Sequence, residues 1–554
     1  MSDPKFPQLT QQQINTLKEY GEVVRFDERT TIFKEGDNQY DFYVVLSGTI
    51  EIQDPSNPNT LITTHHKNEF SGDSSMLSNR AAHVNGYATD STHLLRVKPN
   101  RLKQAIAKHS EISDILLNAF LLRQEAVLAD YNGGVKVVGS GNSKDTYEIL
   151  DFMDKNHIWY TLLDTDESSE AKELLKHFNI SDNELPFVLN NDQELYIRPS
   201  IERIARCTGV LTEFEDKVFD VLVVGAGPAG LAASVYAASE GLSVVTIDNK
   251  APGGQAGKSS KIENYLGFPT GISGRDLANR AYIQAQKFGC NISIPHTAKY
   301  MRHADHEFTL CATNGKIIRS RALIIATGAS YRKLPIDNIE KYEGSGVYYS
   351  ATGMNINSCK NELVGIVGGG NSAGQAAMFL SKYAKEVRIM IRGGDLGAKM
   401  SDYLVQRIEA ADNIKVINYC EVKELSGEHH LEAIHVSVEN GETEKIEMNN
   451  LFTFVGAAPC TEWMEDLVIT DEKGFICTGS VLKDYDLSAH PIYDKRLPQQ
   501  LETSIPGLFA VGDVRNGSTK RVASAVGEGS ICISQVHTFL GELHTLSEAA
   551  DKDN

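Results

Sequence analysis

The residues best suited to chemistry in this chain are glycines. Gly225-Ala226-Gly227-Pro228-Ala229-Gly230 follows the apolar run Val221-Leu222-Val223-Val224, and Gly368-Gly369-Gly370-Asn371-Ser372-Ala373 follows Leu363-Val364-Gly365-Ile366-Val367. A turn of this kind brings backbone N–H groups and a helix N-terminus up to a pyrophosphate, and its last small residue lets helix and strand pack closely. A single match is also what an ordinary tight strand-to-helix turn offers. Here each loop follows an apolar strand and opens a helical stretch, the context that gives the pattern meaning. Two such loops in one polypeptide imply two bound dinucleotides.

Other reactive side chains are scattered. Cys207, Cys290, Cys311, Cys359, Cys420, Cys460, Cys477 and Cys532 include no Cys-x-x-Cys pair, so they are expected to be reduced structural residues. The histidines are dispersed, with His65-His66 and His429-His430 reading as polar loop residues, and no metal site has the required ligand spacing. A net charge of -19 argues against a general nucleic-acid binder, because a polyanion is repelled over most of such a surface. The opening Met-Ser-Asp-Pro-Lys-Phe-Pro-Gln lacks the apolar core of an export signal, which predicts a cytoplasmic protein. Val221 to Ala238 is uncharged and about as long as a membrane span, but Gly225, Gly227, Pro228 and Gly230 interrupt it. It reads as a buried strand, turn and helix, with no membrane partner.

The elements that must position these loops divide the chain. With 554 residues it is too long for one core, and length alone suggests about three to four domains. Residues 10 to 98 alternate short β-type runs, such as Tyr43 to Leu46 and Thr49 to Ile52, with turn residues. From Asn100 to Leu128 apolar residues recur at helical spacing, predicting a helix or helix pair, and Asn132-Gly133-Gly134 reads as a linker. Residues 135 to 212 then predict strand (Val135 to Val138), helix (Asp145 to Asn156), strand (Trp159 to Leu163) and helix (Ser168 to Phe178). Two strands (Phe187 to Leu189, Glu194 to Ile197) and a helix (Ser200 to Thr208) complete that unit.

Phe33-Lys34-Glu35-Gly36-Asp37, Phe42 to Gly48 and the string Phe70-Ser71-Gly72-Asp73-Ser74-Ser75-Met76-Leu77, running on to Arg80-Ala81-Ala82, resemble the jelly-roll cyclic nucleotide-binding domain. The resemblance makes the last string a phosphate cassette: Arg80 matches the arginine that pairs with the cyclic phosphate, with backbone amides around Gly72, Ala81 and Ala82 completing the cradle. A guanidinium fork suits a phosphate diester. Asp73 stands where the family has a glutamate for the ribose hydroxyl, one methylene longer, which leaves the ligand open between a cyclic nucleotide and none. The middle unit resembles a thioredoxin-like fold, with Leu185-Pro186-Phe187 at the place of its cis-proline. Its helix start reads Ser140-Gly141-Asn142-Ser143, so thiol chemistry there is not expected and a scaffold or docking role is.

From Phe219 to about Leu543 the chain resembles the low-molecular-weight thioredoxin reductases. Gly253-Gly254-Gln255, Glu263-Asn264-Tyr265, Ala326-Thr327-Gly328-Ala329, Gly512-Asp513 and Arg521-Val522-Ala523 match in family order. The resemblance implies that the first loop holds FAD, with Asp248 on the adenosine ribose, Asp513 on the ribityl chain and Arg521 to Ala523 under the isoalloxazine. Gly254, Gln255, Asn264 and Ala326 to Gly328 join that site. It also implies that Gly368, Gly370, Asn371, Ser372 and Ala373 hold the nicotinamide cofactor, and that the protein is a homodimer. After the second strand of that half comes Arg392 and no carboxylate, which favours a 2′-phosphate and hence NADPH over NADH, with Lys399 a second contact. The departure is Ser350-Ala351-Thr352-Gly353, where the family carries Cys-Ala-Thr-Cys. Serine and glycine form no disulfide, and Cys359 stands alone nearby.

The expected fold class is therefore multidomain. It comprises a β-rich cyclic nucleotide-binding unit (1–131), a thioredoxin-like unit lacking Cys-x-x-Cys (132–212) and an α/β reductase with an FAD part (213–339 and 457–545) and an NAD(P)H part (340–456). The expected function is an FAD-dependent NAD(P)H oxidoreductase without the redox dithiol, under cyclic nucleotide control, with a protein redox partner left open. Alternatives are a ferredoxin–NADP-type reductase, whose relatives extend the C-terminus over the flavin, and a non-enzymatic flavin and nucleotide sensor.

Overall fold

The computed structural model describes residues 3–37, 40–55, 60–78, 80–130, 135–141, 143–190, 194–211, 213–259, 261–428, 430–438, 441, 443–464 and 467–552. The linker residues Asn132 to Gly134, Asn142 and His429 lie outside them. The helix Gln11–Lys18, capped by the Thr10 hydroxyl on the Gln13 amide, leads into seven short strands. They form a β-sandwich. One sheet orders Glu22–Phe26, Thr92–Val97 and Phe42–Ser47; the other orders Thr30–Phe33, Asn85–Ala88, Ile50–Gln53 and Leu61–His65. Two helices follow, Pro99–Lys108 and Ser110–Asp130, and Phe120 of the second packs against Phe42 and Phe70 of the sandwich with ring centres 6.4 and 6.2 Å away. His65 corrects one expectation. It ends a strand facing inward, is 3% exposed, and burial, with Arg123 nearby, pushes its pKa down to about 3.

The middle unit has the predicted element order. Its sheet runs Glu194–Ile197, Phe187–Asn190, Val135–Gly139, Tyr160–Asp164, with only the last pair parallel. The helices Lys144–Lys155 and Ser169–Phe178 connect its strands, and the Leu185–Pro186 peptide is cis.

The remaining chain builds two large sheets with parallel centres, the first extended by the antiparallel strands Ala298–Ala304 and Glu307–Ala312. The first places Val218–Val224 between Val244–Ile247 and the long strand Ile317–Ile325, with Asn291–Ser293 at one edge and Leu508–Ala510 pairing the end of the long strand. The second is all parallel, in the order Val347–Tyr348, Asn450–Thr453, Leu363–Val367, Glu386–Met390, Ile414–Ile417. Near-continuous apolar runs form both centres because both faces of each sheet are covered, by helices on one face and by strands and loops on the other. The chain crosses between the two halves twice, and the crossings pair as an antiparallel ribbon, Ala329–Tyr331 with Ala457–Pro459. The C-terminal helix Val522–Lys552 lies along Pro228–Ser239 closely enough that a Cβ on Gly529 would sit 2.2 Å from the Ala229 carbonyl oxygen.

Candidate functional site

Each glycine loop sits at the carboxyl end of the central strand of its own sheet, where open α/β sheets bind ligands. Gly225 has φ +108°, and its N–H donates to the Ile247 carbonyl at 2.8 Å. A Cβ on Gly230 would lie 1.8 Å from the Gly225 carbonyl oxygen, so only glycine lets this helix close on its strand. The helix Pro228–Ser239 starts at Gly227, and Asn371–Leu380 starts at Gly370, neither with a side-chain cap. Uncapped first-turn N–H groups are an anion site. Gly368 has φ +136°, and a Cβ there would lie 2.6 Å from the Phe454 carbonyl oxygen.

Both loops open into one cavity of about 2280 Å³. Pockets for one small ligand reach roughly 1,000 Å³, so this space suits two nucleotides. On the first side it is lined by Gly225, Gly227, Pro228, Ala229, Asp248, Gly254, Gln255 and Asn264, then by Ala326, Thr327, Gly328, Gly512, Asp513, Arg521 and Val522. Gly368, Gly370, Asn371, Ser372, Ala373, Arg392 and Lys399 line the second side. Gly230 stands behind the first loop, and Ala523 in the first turn of the C-terminal helix; neither lines the cavity.

The residues fit FAD. The Gln255 side-chain oxygen is buried in this cavity's wall and has no hydrogen-bond partner, and a buried orphan of that kind calls for a ligand or water. Asp248 accepts from the amides of Ala226 (2.8 Å), Lys250 (2.8 Å) and Ala251 (3.1 Å), which hold the first loop to the second strand. Burial raises its pKa against those three donors. Burial likewise raises Asp513. Thr327 donates to the Cys460 carbonyl at 2.9 Å, and the Gly512 amide to Glu528 at 2.7 Å.

On the nicotinamide side Asn371 is used structurally, accepting from the Ser401 amide at 2.7 Å. Arg392 and Lys399 are exposed on the cavity wall and, among the described residues, make no hydrogen bond or ion pair. Sequence reading missed three contacts that join the halves across the cavity. The Tyr331 hydroxyl donates to Ser372 at 2.6 Å, Ser259 donates to Gln375 at 3.1 Å, and Arg407 pairs with Glu263. No local pattern marks these pairs, whose members lie 41 to 144 residues apart.

All eight cysteines are free. Ser350 is buried, and Gly353 opens a single turn of 3₁₀ helix. Cys359 is fully buried, and burial pushes its thiol up to about 11, which makes it a poor nucleophile. Cys460 is half-buried in the cavity wall, and burial raises its thiol too. Among the described residues no cluster of His, Cys, Asp and Glu suits a metal ion, and no helix is long and apolar enough to cross a membrane.

In the N-terminal unit the cassette is closed over. Asp73 accepts from the Tyr40 hydroxyl at 3.2 Å and the Ser75 amide at 2.7 Å. The Gly72 carbonyl accepts from Arg123 at 2.6 Å, Ala81 is buried, and the Ala82 amide donates to the Asp37 carbonyl at 2.9 Å. Arg80, 8% exposed, donates to the Asn156 carbonyl of the middle unit at 2.6 Å and lies over the Tyr282 ring. His83 meets Trp159 with ring centres 4.1 Å apart.

Two dinucleotide loops, each at the end of the central, parallel-paired strand of its sheet and facing one cavity, define a two-nucleotide α/β oxidoreductase. The chain belongs to the pyridine nucleotide-disulphide oxidoreductase family, whose sequence profile matches residues 219–529, and a cyclic nucleotide-binding domain matches residues 23–109. The reductase part is of thioredoxin-reductase type. It is 32% identical to the thioredoxin reductase of Bacillus subtilis over 333 residues, covering 59% of this chain and 97% of that one. The Mycoplasmopsis pulmonis thioredoxin reductase is 33% identical over 323 residues, 57% of this chain and 96% of its own. The crystal structure of Lactococcus lactis thioredoxin reductase in the FR conformation superposes with a TM-score of 0.52 at 28% identity, covering 58% of this chain and 99% of that one. That of the T. acidophilum enzyme gives 0.51 at 30%, covering 57% and 96%. The chain is an oxidoreductase, and its family implies FAD and NAD(P)H.

Proposed function

We propose that this protein is an FAD-dependent NADPH oxidoreductase that reduces its flavin directly, hands the electrons on without a protein dithiol, and responds to a cyclic nucleotide. The observation that carries the reading is the shared cavity: both loops line it, and Ser350 and Gly353 stand where the resemblance places the dithiol. FAD, when bound, supplies the chemistry of accepting a hydride from a nicotinamide and releasing the electron pair to an acceptor. The chain supplies position and charge. The amides of Gly225 to Gly230 and of Gly368 to Ala373, each at a helix start, balance the two pyrophosphates. Asp248 and Asp513 would hold the sugar hydroxyls, and Val522 and Ala523 begin the helix that would support the flavin ring. Arg392, with Lys399, takes a 2′-phosphate as a charge-assisted pair. The Tyr331–Ser372 bond keeps the second loop against the flavin half.

Arg80, a buried guanidinium in a matched cyclic nucleotide domain, supports the regulatory part. His544 and Thr545 continue the C-terminal helix and do not line the cavity. Anaerobic mixing with NADPH tests the proposal: the visible flavin band should bleach in one phase faster than with NADH. If neither nicotinamide bleaches it, the reading is wrong.

A further inference from the structure

The middle unit carries no thiol at the start of its first helix, yet that helix, Lys144–Lys155, is seated across both halves of the reductase. Near its N-terminal end the Tyr147 ring meets Tyr348 of the nicotinamide half at 5.8 Å, and a Cβ on Gly344 of that half would lie 3.4 Å from the same ring. Tyr348 stands just before the segment Ser350 to Gly353. At its C-terminal end Asp154 pairs with Arg275 of the flavin half at 2.8 Å, and Arg275 also donates to His157 at 3.3 Å. Asn156, which caps the helix, donates to the Lys250 carbonyl at 2.8 Å, two residues from Asp248. A helix of this length is a rod of roughly 18 Å. With one end on each half, it resists any movement of the halves about the ribbon that joins them.

The rod is fastened from the N-terminal unit. Arg80 donates to the Asn156 backbone carbonyl, while the Arg80 Nε and the Asn156 Oδ1 are both buried without a partner. No carboxylate pairs with Arg80 among the described residues. A buried guanidinium held by one carbonyl and the face of the Tyr282 ring is poorly compensated, and a phosphate oxyanion would satisfy it better.

We propose that the helix Lys144–Lys155 is a clamp that positions the nicotinamide half for hydride delivery, and that a cyclic phosphate diester loosens it by taking Arg80 from Asn156. This rests on the oxidoreductase reading above. The ligand shifts the clamp only through its different affinity for the fastened and released states. Tyr147 is a positioning residue; it acts through the seating of the nicotinamide half.

The test uses the full flavin-loaded chain. Tyr147→Ala should slow the limiting anaerobic flavin-reduction step about five- to thirty-fold, the range set by losing the ring contact and the packing around it. The NADPH concentration at half-maximal rate should not change, and Tyr147→Phe should recover most of the rate. Only Trp159 and Trp463 are present, so Trp463→Phe leaves the indole beside His83 as the sole reporter of the cassette. Cyclic AMP or cyclic GMP should shift that emission and slow flavin reduction. Arg80→Ala should be slow without ligand and indifferent to it. Wild-type reduction rates in Tyr147→Ala would overturn the clamp. Failure of both nucleotides to move Trp159 emission, whether bound or not, would overturn its release by a phosphate diester. Failure of NADPH to reduce the wild-type flavin is a separate result that sinks the underlying function instead.

Discussion

Replacing Arg392 should abolish the proposed preference for NADPH over NADH. The side chain is exposed on the cavity wall, without a hydrogen-bond or salt-bridge partner among the described residues, at the end of the strand Glu386–Met390. A charged hydrogen-bonded pair is worth about 1.5–3 kcal/mol. Exposure to water screens it, so about 1–2 kcal/mol is the reasonable share here. That is about five- to thirty-fold in rate. Arg392→Ala should therefore lose that factor in the second-order rate constant for flavin reduction by NADPH, while the constant for NADH stays within about two-fold. Adding Lys399→Ala should extend the loss. Stopped-flow reduction of the flavin over a range of each nucleotide measures both constants. Equal losses with NADPH and NADH would refute the reasoning, since only the 2′-phosphate distinguishes them.

Further outcomes follow from the same geometry. Ser350→Cys combined with Gly353→Cys should restore a thiol pair that closes to a disulfide, because a Cβ at Gly353 meets nothing within 4 Å. Thiol titration before and after NADPH should then differ by two thiols per chain, and an unchanged count would show the segment unsuited to the chemistry. Gly230→Ala puts a Cβ 1.8 Å from the Gly225 carbonyl oxygen, and such overpacking costs about 1–3 kcal/mol or more. The purified variant should carry little flavin, read from its visible-to-ultraviolet absorbance ratio; full flavin content would contradict the tight helix–strand approach. Burial holds His65 at about 3, below its ordinary 6.5, so the unfolded chain binds the extra proton between those values. Stability from this group is complete above pH 6.5 and is lost as pH falls towards 3, by about 2 kcal/mol at pH 5. His65→Gln should flatten the acid side of the thermal-unfolding profile, and an unaltered slope would count against it.

What the chain reveals before folding is what local chemistry dictates. The glycine loops were legible because each needs small residues at fixed offsets after an apolar strand, and the middle unit because its strand and helix patterns change at clear turns. His65 misled because a histidine beside a histidine reads as polar, whereas the strand's alternation turns one of them inward. The partners of Arg80, Arg275, Tyr331 and Tyr147 were not legible at all. Arg80 reaches a carbonyl 76 positions away, and Arg275 a carboxylate 121 positions away, and neither pairing leaves a periodic trace. The resemblance placed Arg80 on a phosphate; the fold places it on the cap of a helix that touches both reductase halves.

The central claim is that electrons enter the flavin and leave it without a dithiol. Anaerobic titration of the flavin-loaded protein with NADPH tests it directly, because a flavin takes up one hydride and a flavin with a dithiol takes up two. The account predicts complete bleaching at one NADPH per flavin, with no new thiols. A titration that needs two equivalents, or that exposes two thiols per chain, would contradict it.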